Sequence, residues 1–359
     1  MSEKPLSVPP ALDPSRTGPS STGPSSTGPS GAAPKRSIAG RILGGSVGRN
    51  AGLIIALAAL FAVGAITAGE RFTNFENMLV IIRLASIIGV ISIGSTFVII
   101  GAGIDLSVGS LMGLTTVVAT LSTVQALANE TSWLVMVVVA LAVGVAIGFI
   151  NGIVIAYGNV VAFMATLAML VAARGLAEIL SNRSTQIITD RGFLDFFRAD
   201  FLGISVLIWI LILVALACWV LLNRTTFGRR TIAIGGNMVA AQLAGIKVKR
   251  HTVYLYALSG LTAGIAGVMM MGRTTVGTST HGTLYELDAI AAIVVGGTLL
   301  IGGRGTITGT VLGVLIFATL TNVFVQNNLS TSVQAVTKGV IIVIAVLLQQ
   351  RFAARGPSR

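Results

Sequence analysis

From residue 51 onward, long apolar runs alternate with short polar breaks. The runs fall at 51–69, 77–101, 107–128, 132–157, 161–180, 201–222, 252–276, 286–302, 306–326 and 331–350. A helix needs about 20 apolar residues to cross a bilayer core, so the pattern predicts an all-α polytopic membrane protein of about ten transmembrane helices. Every proline except Pro357 lies at or before Pro34. Breaks inside the membrane region must therefore come from glycine and from polar caps.

The polar breaks carry the topology. Lys35, Arg36, Arg41 and Arg49 precede the first run, and Arg351, Arg355 and Arg359 follow the last. Lys and Arg are retained on the cytoplasmic side, which places both termini on the inner side of the cell membrane. An even number of spans agrees with that placement. It also puts Arg304 and the basic loop Arg224–Arg250 inside, and the segment Ser181–Asp200 outside, where Asp190, Asp195 and Asp200 balance Arg183, Arg191 and Arg198. The expected organisation is a cytoplasmic tail over 1–50, a transmembrane domain over 51–350 with its loop at 224–250, and a second tail over 351–359. The first tail contains TGPSSTGPSSTGPSG (Thr17–Gly31). That repeat has too little apolar area to offset its ordering entropy and is expected to be disordered. No apolar core follows the first positive charge, so the start of the chain does not read as a signal peptide.

Composition supports this picture. The chain is 54% hydrophobic and 10% charged, with a mean hydropathy of +0.90, whereas soluble domains carry about 25% charged residues. The net charge of +12 then marks membrane ends that face anionic lipid rather than a nucleic-acid partner. Cys218 is alone, so no intrachain disulfide forms, and His251 and His281 show no metal-ligand spacing.

Within the basic loop, Asn237 reads as the N-cap of a helix whose body is Met238–Ala244, with Gly245 ending it in the left-handed conformation. About two turns are too few to be stable alone in water, so something must pack on this helix. Two glycine breaks interrupt the apolar runs. GAGIDLSVGS (Gly101–Ser110) holds Asp105 after two glycines. That carboxylate reads as a cap on the following helix, through the N–H of Ser107 or Val108, with a substrate or proton ligand as the alternative. In the second break, Gly296 and Gly297 weaken a helix, Gly302, Gly303 and Gly305 break it, and Thr306 or Thr308 caps the next. Gly109-Ser110…Gly113 and Gly309-Thr310…Gly313 match in spacing. Paired broken-helix hairpins point to a translocation path; its candidates are Gly103, Asp105, Ser107, Gly109, Gly296, Gly297, Gly302, Gly303 and Thr306. TLYE (Thr283–Glu286) has capping-box spacing. Arg174 and Glu178 are i,i+4 partners expected to pair. Gly144, Gly148 and Gly152 form a ridge for close helix packing within one subunit, as do Gly260/Gly264, with some such ridges available to a subunit interface.

GIDLSVGS (Gly103–Ser110), Asn151-Gly152, FMATLAMLVAARGL (Phe163–Leu176), GRRTIAIGGNMVAAQLAGI (Gly228–Ile246) and ELDAIAAIVVGGTLLIGGRGTITGTVLG (Glu286–Gly313) together resemble the permease subunits of bacterial ABC importers for ribose, xylose and related monosaccharides. Val161-Ala162 stands where that family places a proline. The resemblance implies three partners: a cytoplasmic ATPase, a second permease subunit forming a homodimer, and an extracytoplasmic sugar-binding protein. It adds Asn151 to the path. It also makes Gly235, Gly236, Asn237, Ala240, Ala241, Gly245 and Ile246 the loop that docks on the ATPase, with the alanines and Gly245 small so that the ATPase groove approaches closely. No G-x-x-x-x-G-K-[ST] loop is present, so the chain is not itself an enzyme. It binds no cofactor, and ATP and Mg belong to the partner. Nucleoside or branched-chain amino-acid permeases of the wider superfamily remain the alternative cargo class. An ion-coupled secondary transporter would need an acid-rich pathway, which the sequence lacks.

Overall fold

The computed structural model describes residues 46–354. The Thr17–Gly31 repeat, the charges Lys35, Arg36 and Arg41, and residues 355–359 lie outside that range. The first half of the chain forms α1 (Ser46–Ala68), a short α2 (Glu70–Thr73), α3 (Phe75–Ile100), α4 (Val108–Ala119), α5 (Ser122–Glu130), α6 (Leu134–Ala156) and α7 (Ala162–Ser181). A connecting segment carries β1 (Gln186–Ile187), α8 (Arg191–Arg198), β2 (Asp200–Phe201) and β3 (Ile204–Ser205). Then follow α9 (Val206–Arg224), α10 (Thr226–Gly236), α11 (Met238–Leu243), α12 (Val248–Thr274), β4 (Val276–Gly277), α13 (Tyr285–Val295), α14 (Ile307–Gln326) and α15 (Thr331–Ala354).

Among the described residues, seven helices are long and apolar enough to cross a membrane: α1, α3, α6, α7, α9, α12 and α14. Three of the ten predicted runs are not among these seven: 331–350, which forms α15, and two whose difference has a physical reason. The 107–128 run is not one rod but α4 and α5, bent by 57°. The 286–302 run stops being helical at Val295, because Gly297, Gly302 and Gly303 take φ of +85°, +89° and +73°. Such angles suit glycine and end a right-handed helix. The 11 residues of α13 span about 16 Å, half of a hydrocarbon core. The all-α expectation holds except for two short antiparallel ladders, one pairing Gln186 with Gly277 and Ile187 with Val276, the other pairing Asp200 with Ser205.

The centre of the bundle is α3, α12 and α14, whose spanning windows are 67%, 72% and 72% buried, against 6% for α1. Glycine sets how closely these helices approach. A Cβ on Gly144 would overlap the Gly260 carbonyl, one on Gly148 the Tyr256 carbonyl, and one on Gly152 the backbone of Val253. As numbers rise on α6 they fall on α12, so the two helices are antiparallel with their backbones in contact. The predicted glycine ridge therefore packs inside one chain. The connecting segment, expected only as a charged loop, is folded by aromatics. Asp190 caps α8 by accepting from the Phe193 N–H at 2.9 Å. Phe193 and Phe197, 4.6 Å apart, pack edge-on against Trp133.

Candidate functional site

Between α9 and α12, two turns of the backbone build a small projecting helix. Thr225 opens α10 by accepting from the N–H groups of Phe227 and Gly228. At Asn237 the chain extends, and its Oδ1 accepts from the Ala240 N–H at 2.9 Å. This cap starts α11, and Gly245 at φ +80° ends it, as expected from the sequence. The helix body is one residue shorter than expected, since Ala244 is its C-cap. Met238, Val239 and Leu243 are 47%, 65% and 85% exposed, and Ala240 is exposed with them. Ala241 does not join that face. It is buried with Ile234 and Val248, with Ile246 packed alongside, so its small size serves this chain's own packing.

Directly inside this helix the two glycine breaks meet. The Gly303 N–H donates to the Ile100 carbonyl at 2.8 Å, joining the 296–306 segment to the last residue of α3. Gly235 lies against the same pair: a Cβ there would overlap the Ile100 carbonyl oxygen and stand 2.5 Å from the Gly303 nitrogen. A Cβ on Gly303 would be 2.9 Å from Gly236, and one on Gly302 2.8 Å from Ala102. Gly235 and Gly236 on one side and Gly302 and Gly303 on the other, assigned from sequence to different roles, thus form one three-way backbone junction. Thr306 starts α14 by accepting from the Gly309 N–H at 3.1 Å. Gly296 packs against the Gly309 carbonyl, while Gly297 faces open space.

The first break is held by a buried polar chain. Asp105 is 3% exposed. Its Oδ1 accepts from the Ser107 N–H at 3.0 Å and the Ser107 hydroxyl at 2.6 Å, and its Oδ2 accepts from the Ser259 hydroxyl at 2.8 Å. Asn151 donates to the Ser107 oxygen at 2.9 Å. Both carboxylate oxygens are therefore occupied by protein donors, as in the structural-cap reading, although the N-cap position itself is Ser107. Tyr256 and Thr166 donate to the Ile104 carbonyl at 3.2 and 3.3 Å, and Gly103 leaves room for the Tyr256 hydroxyl. Tyr256 and Ser259 escaped notice in the sequence because they sit one turn apart in an otherwise apolar run. Replacing Asp105 with alanine strands the Ser107 and Ser259 hydroxyls. The expected loss is about 1–3 kcal/mol per unsatisfied buried group, measured as a lowered unfolding midpoint of the detergent-solubilised chain, with Asp105→Asn intermediate.

Two pairings at the far end of the bundle differ from expectation. Arg174 does not bind Glu178; it donates to the carbonyls of Ser279 and His281, and Glu178 pairs with Arg183 at 3.0 Å. The TLYE capping box does not form either. Leu284, at φ +67°, is the N-cap of α13, Thr283 donates to the Thr280 carbonyl, and Glu286 is buried against Gly109. The left-handed turn at Leu284 rotates Glu286 inward, away from the backbone N–H it was expected to accept from.

Residues 77–346 match the family described as branched-chain amino acid transport system / permease component. The chain is 39% identical over 307 residues to the ribose import permease protein RbsC of Escherichia coli (strain K12), covering 83% of this chain and 92% of that one. It is 42% identical over 280 residues to RbsC of Bacillus subtilis (strain 168), covering 77% and 86%. To the L-arabinose transport system permease protein AraH of Escherichia coli (strain K12) it is 36% identical over 310 residues, covering 83% and 90%. No solved structure gives a significant match. With its apolar helices, its two glycine breaks and relatives similar over nearly their full lengths, the chain belongs to the family of branched-chain amino acid transport system permease components.

Proposed function

We propose that this chain is the membrane-spanning permease subunit of an ATP-driven importer for a monosaccharide, and that α11 is where a separate cytoplasmic ATPase docks. Relatives with ribose and L-arabinose in their names, alike across most of the chain, support the cargo class. The observation that carries the docking assignment is α11 itself. It is capped at both ends, too short to persist unsupported in water, and it holds three large apolar side chains in the open. Arg229, Arg230, Lys247, Lys249 and Arg250 flank it, which supports a cytoplasmic placement. ATP and Mg sit on the partner, whose closure presses on α11; the junction of Gly235, Ile100 and Gly303 then passes that motion to both glycine breaks. A sugar-binding protein delivers cargo from outside, and a second copy of this chain completes the pathway. Few charges lie in the membrane region, which suits a neutral, hydroxylated cargo.

Leu243→Glu and Ala240→Trp change only the exposed face of α11. Both variants are expected to insert normally, to lose sugar uptake at least tenfold, and to lose co-purification of the ATPase. Gly245→Arg, which forces a side chain into φ +80°, should do the same. Wild-type uptake by the two surface variants refutes the docking assignment. The family description favours one second reading, a branched-chain amino-acid cargo. The ligand retained by the cognate binding protein separates the two.

A further inference from the structure

A cavity of about 470 Å³ opens between the start of α10 and the start of α12. Its lining includes Phe227, Arg230, Lys247, Arg250, His251 and Tyr254, and no carboxylate. None of the three cations enters an ion pair among the described residues. Phe227 and His251 form its floor, with ring centroids 4.6 Å apart, and His251 is fixed by a 2.8 Å hydrogen bond to Thr231. Three like charges converging on a concave site repel one another, and an anion held between them relieves that repulsion.

The aromatic and basic residues around the cavity select the kind of anion. Tyr157 and Trp219 lie at the same end of the bundle, each with a cation over its ring: Lys249 at 5.6 Å and Arg224 at 5.7 Å. Tyr254, in the lining, is 53% exposed. Aromatic rings paired with basic residues at helix ends mark the headgroup level of a bilayer. Just before the cavity, α9 exposes Leu213, Leu216 and Val220, an apolar surface for acyl chains. We propose that this cavity binds the phosphate of an anionic phospholipid of the inner leaflet, next to the docking helix. The assignment rests on the cytoplasmic placement of the 224–250 loop but not on ATPase docking.

The test uses the full-length chain in a neutral detergent, with phosphatidylglycerol, phosphatidylethanolamine or inorganic phosphate added and adducts measured by native mass spectrometry. The pocket variant Arg230→Gln/Arg250→Gln is compared with Arg224→Gln/Lys249→Gln, which removes the same charge outside the lining. Elution as a single species in size exclusion establishes that each variant is folded. Phosphatidylglycerol is expected to bind more tightly than phosphatidylethanolamine, and to weaken roughly thirtyfold in the pocket variant against less than threefold in the control. Equal weakening in both variants overturns the proposal, as does inorganic phosphate binding as tightly as the lipid. So does a pocket variant that keeps its lipid and loses ATPase co-purification, since the cavity then belongs to a protein contact. Loss of lipid with ATPase co-purification intact supports the lipid site, whatever becomes of the docking assignment.

Discussion

Replacing Gly235 with alanine is expected to lower uptake at least tenfold while leaving the amount of chain in the membrane unchanged. A methyl group at this position overlaps the Ile100 carbonyl oxygen and crowds the Gly303 nitrogen. Both partners are backbone, so no rotamer change makes room. Relief requires that the Gly303–Ile100 hydrogen bond lengthen or that α10 move away. Overpacking of this kind costs about 1–3 kcal/mol, concentrated where the end of α10 meets both breaks. Gly175→Ala is the control: an added Cβ there has open space, and the position lies outside the junction and the 224–250 loop. Uptake by Gly175→Ala should stay within twofold of wild type. Equal behaviour of the two variants removes the junction from the coupling route.

The second large effect is at the contact of α6 with α12. Gly260→Leu is expected to prevent recovery of folded protein, because its side chain enters the Gly144 carbonyl and the Gly148 backbone. Helices in lipid associate through close van der Waals packing rather than a hydrophobic driving force. Separating these two backbones therefore removes the term that holds them. The readout is the fraction of solubilised chain that elutes as a single species in size exclusion. Gly175→Leu, where a Cβ meets nothing within 4 Å, should elute as wild type does. Folded Gly260→Leu protein would mean that the contact is far more pliable than its geometry indicates.

Much of this was legible in the residues. Apolar runs marked every long helix, and single-residue chemistry marked the local turns: Asn237 and Thr306 as caps, Gly245 as a stop. These succeed because cap, cap partner and stop lie within a few residues of one another. The failures have the opposite character. The length of α13 was misread because its apolar composition continues past Val295 while its glycines turn the backbone. Arg174 had a carboxylate four residues away and instead bonds carbonyls of a loop about a hundred positions on. The TLYE spacing was right, but a left-handed residue inside it turned Glu286 inward. The junction of Gly235, Ile100 and Gly303 was beyond reach for the same reason: each glycine was visible, but only the tertiary fold brings the three segments together. The resemblance made Ala240 and Ala241 docking contacts together, but adjacent helical positions point about 100° apart, and Ala241 is buried within this chain.

The half-length of α13 bears on how the chain is made. A segment of 11 residues is too short for a membrane-insertion machine to accept as a span in its own right. The 296–306 segment that follows leaves the helix, so the Gly303 N–H needs a partner from another part of the chain. The carbonyl that receives Gly303 belongs to Ile100, and the surfaces it rests on belong to Ala102, Gly235 and Gly236. All four precede α13 in the sequence. The 296–306 segment thus meets a berth that is already synthesised, whereas α13 itself waits for α14, on whose Val314 and Phe317 its Ala291 and Ala292 pack.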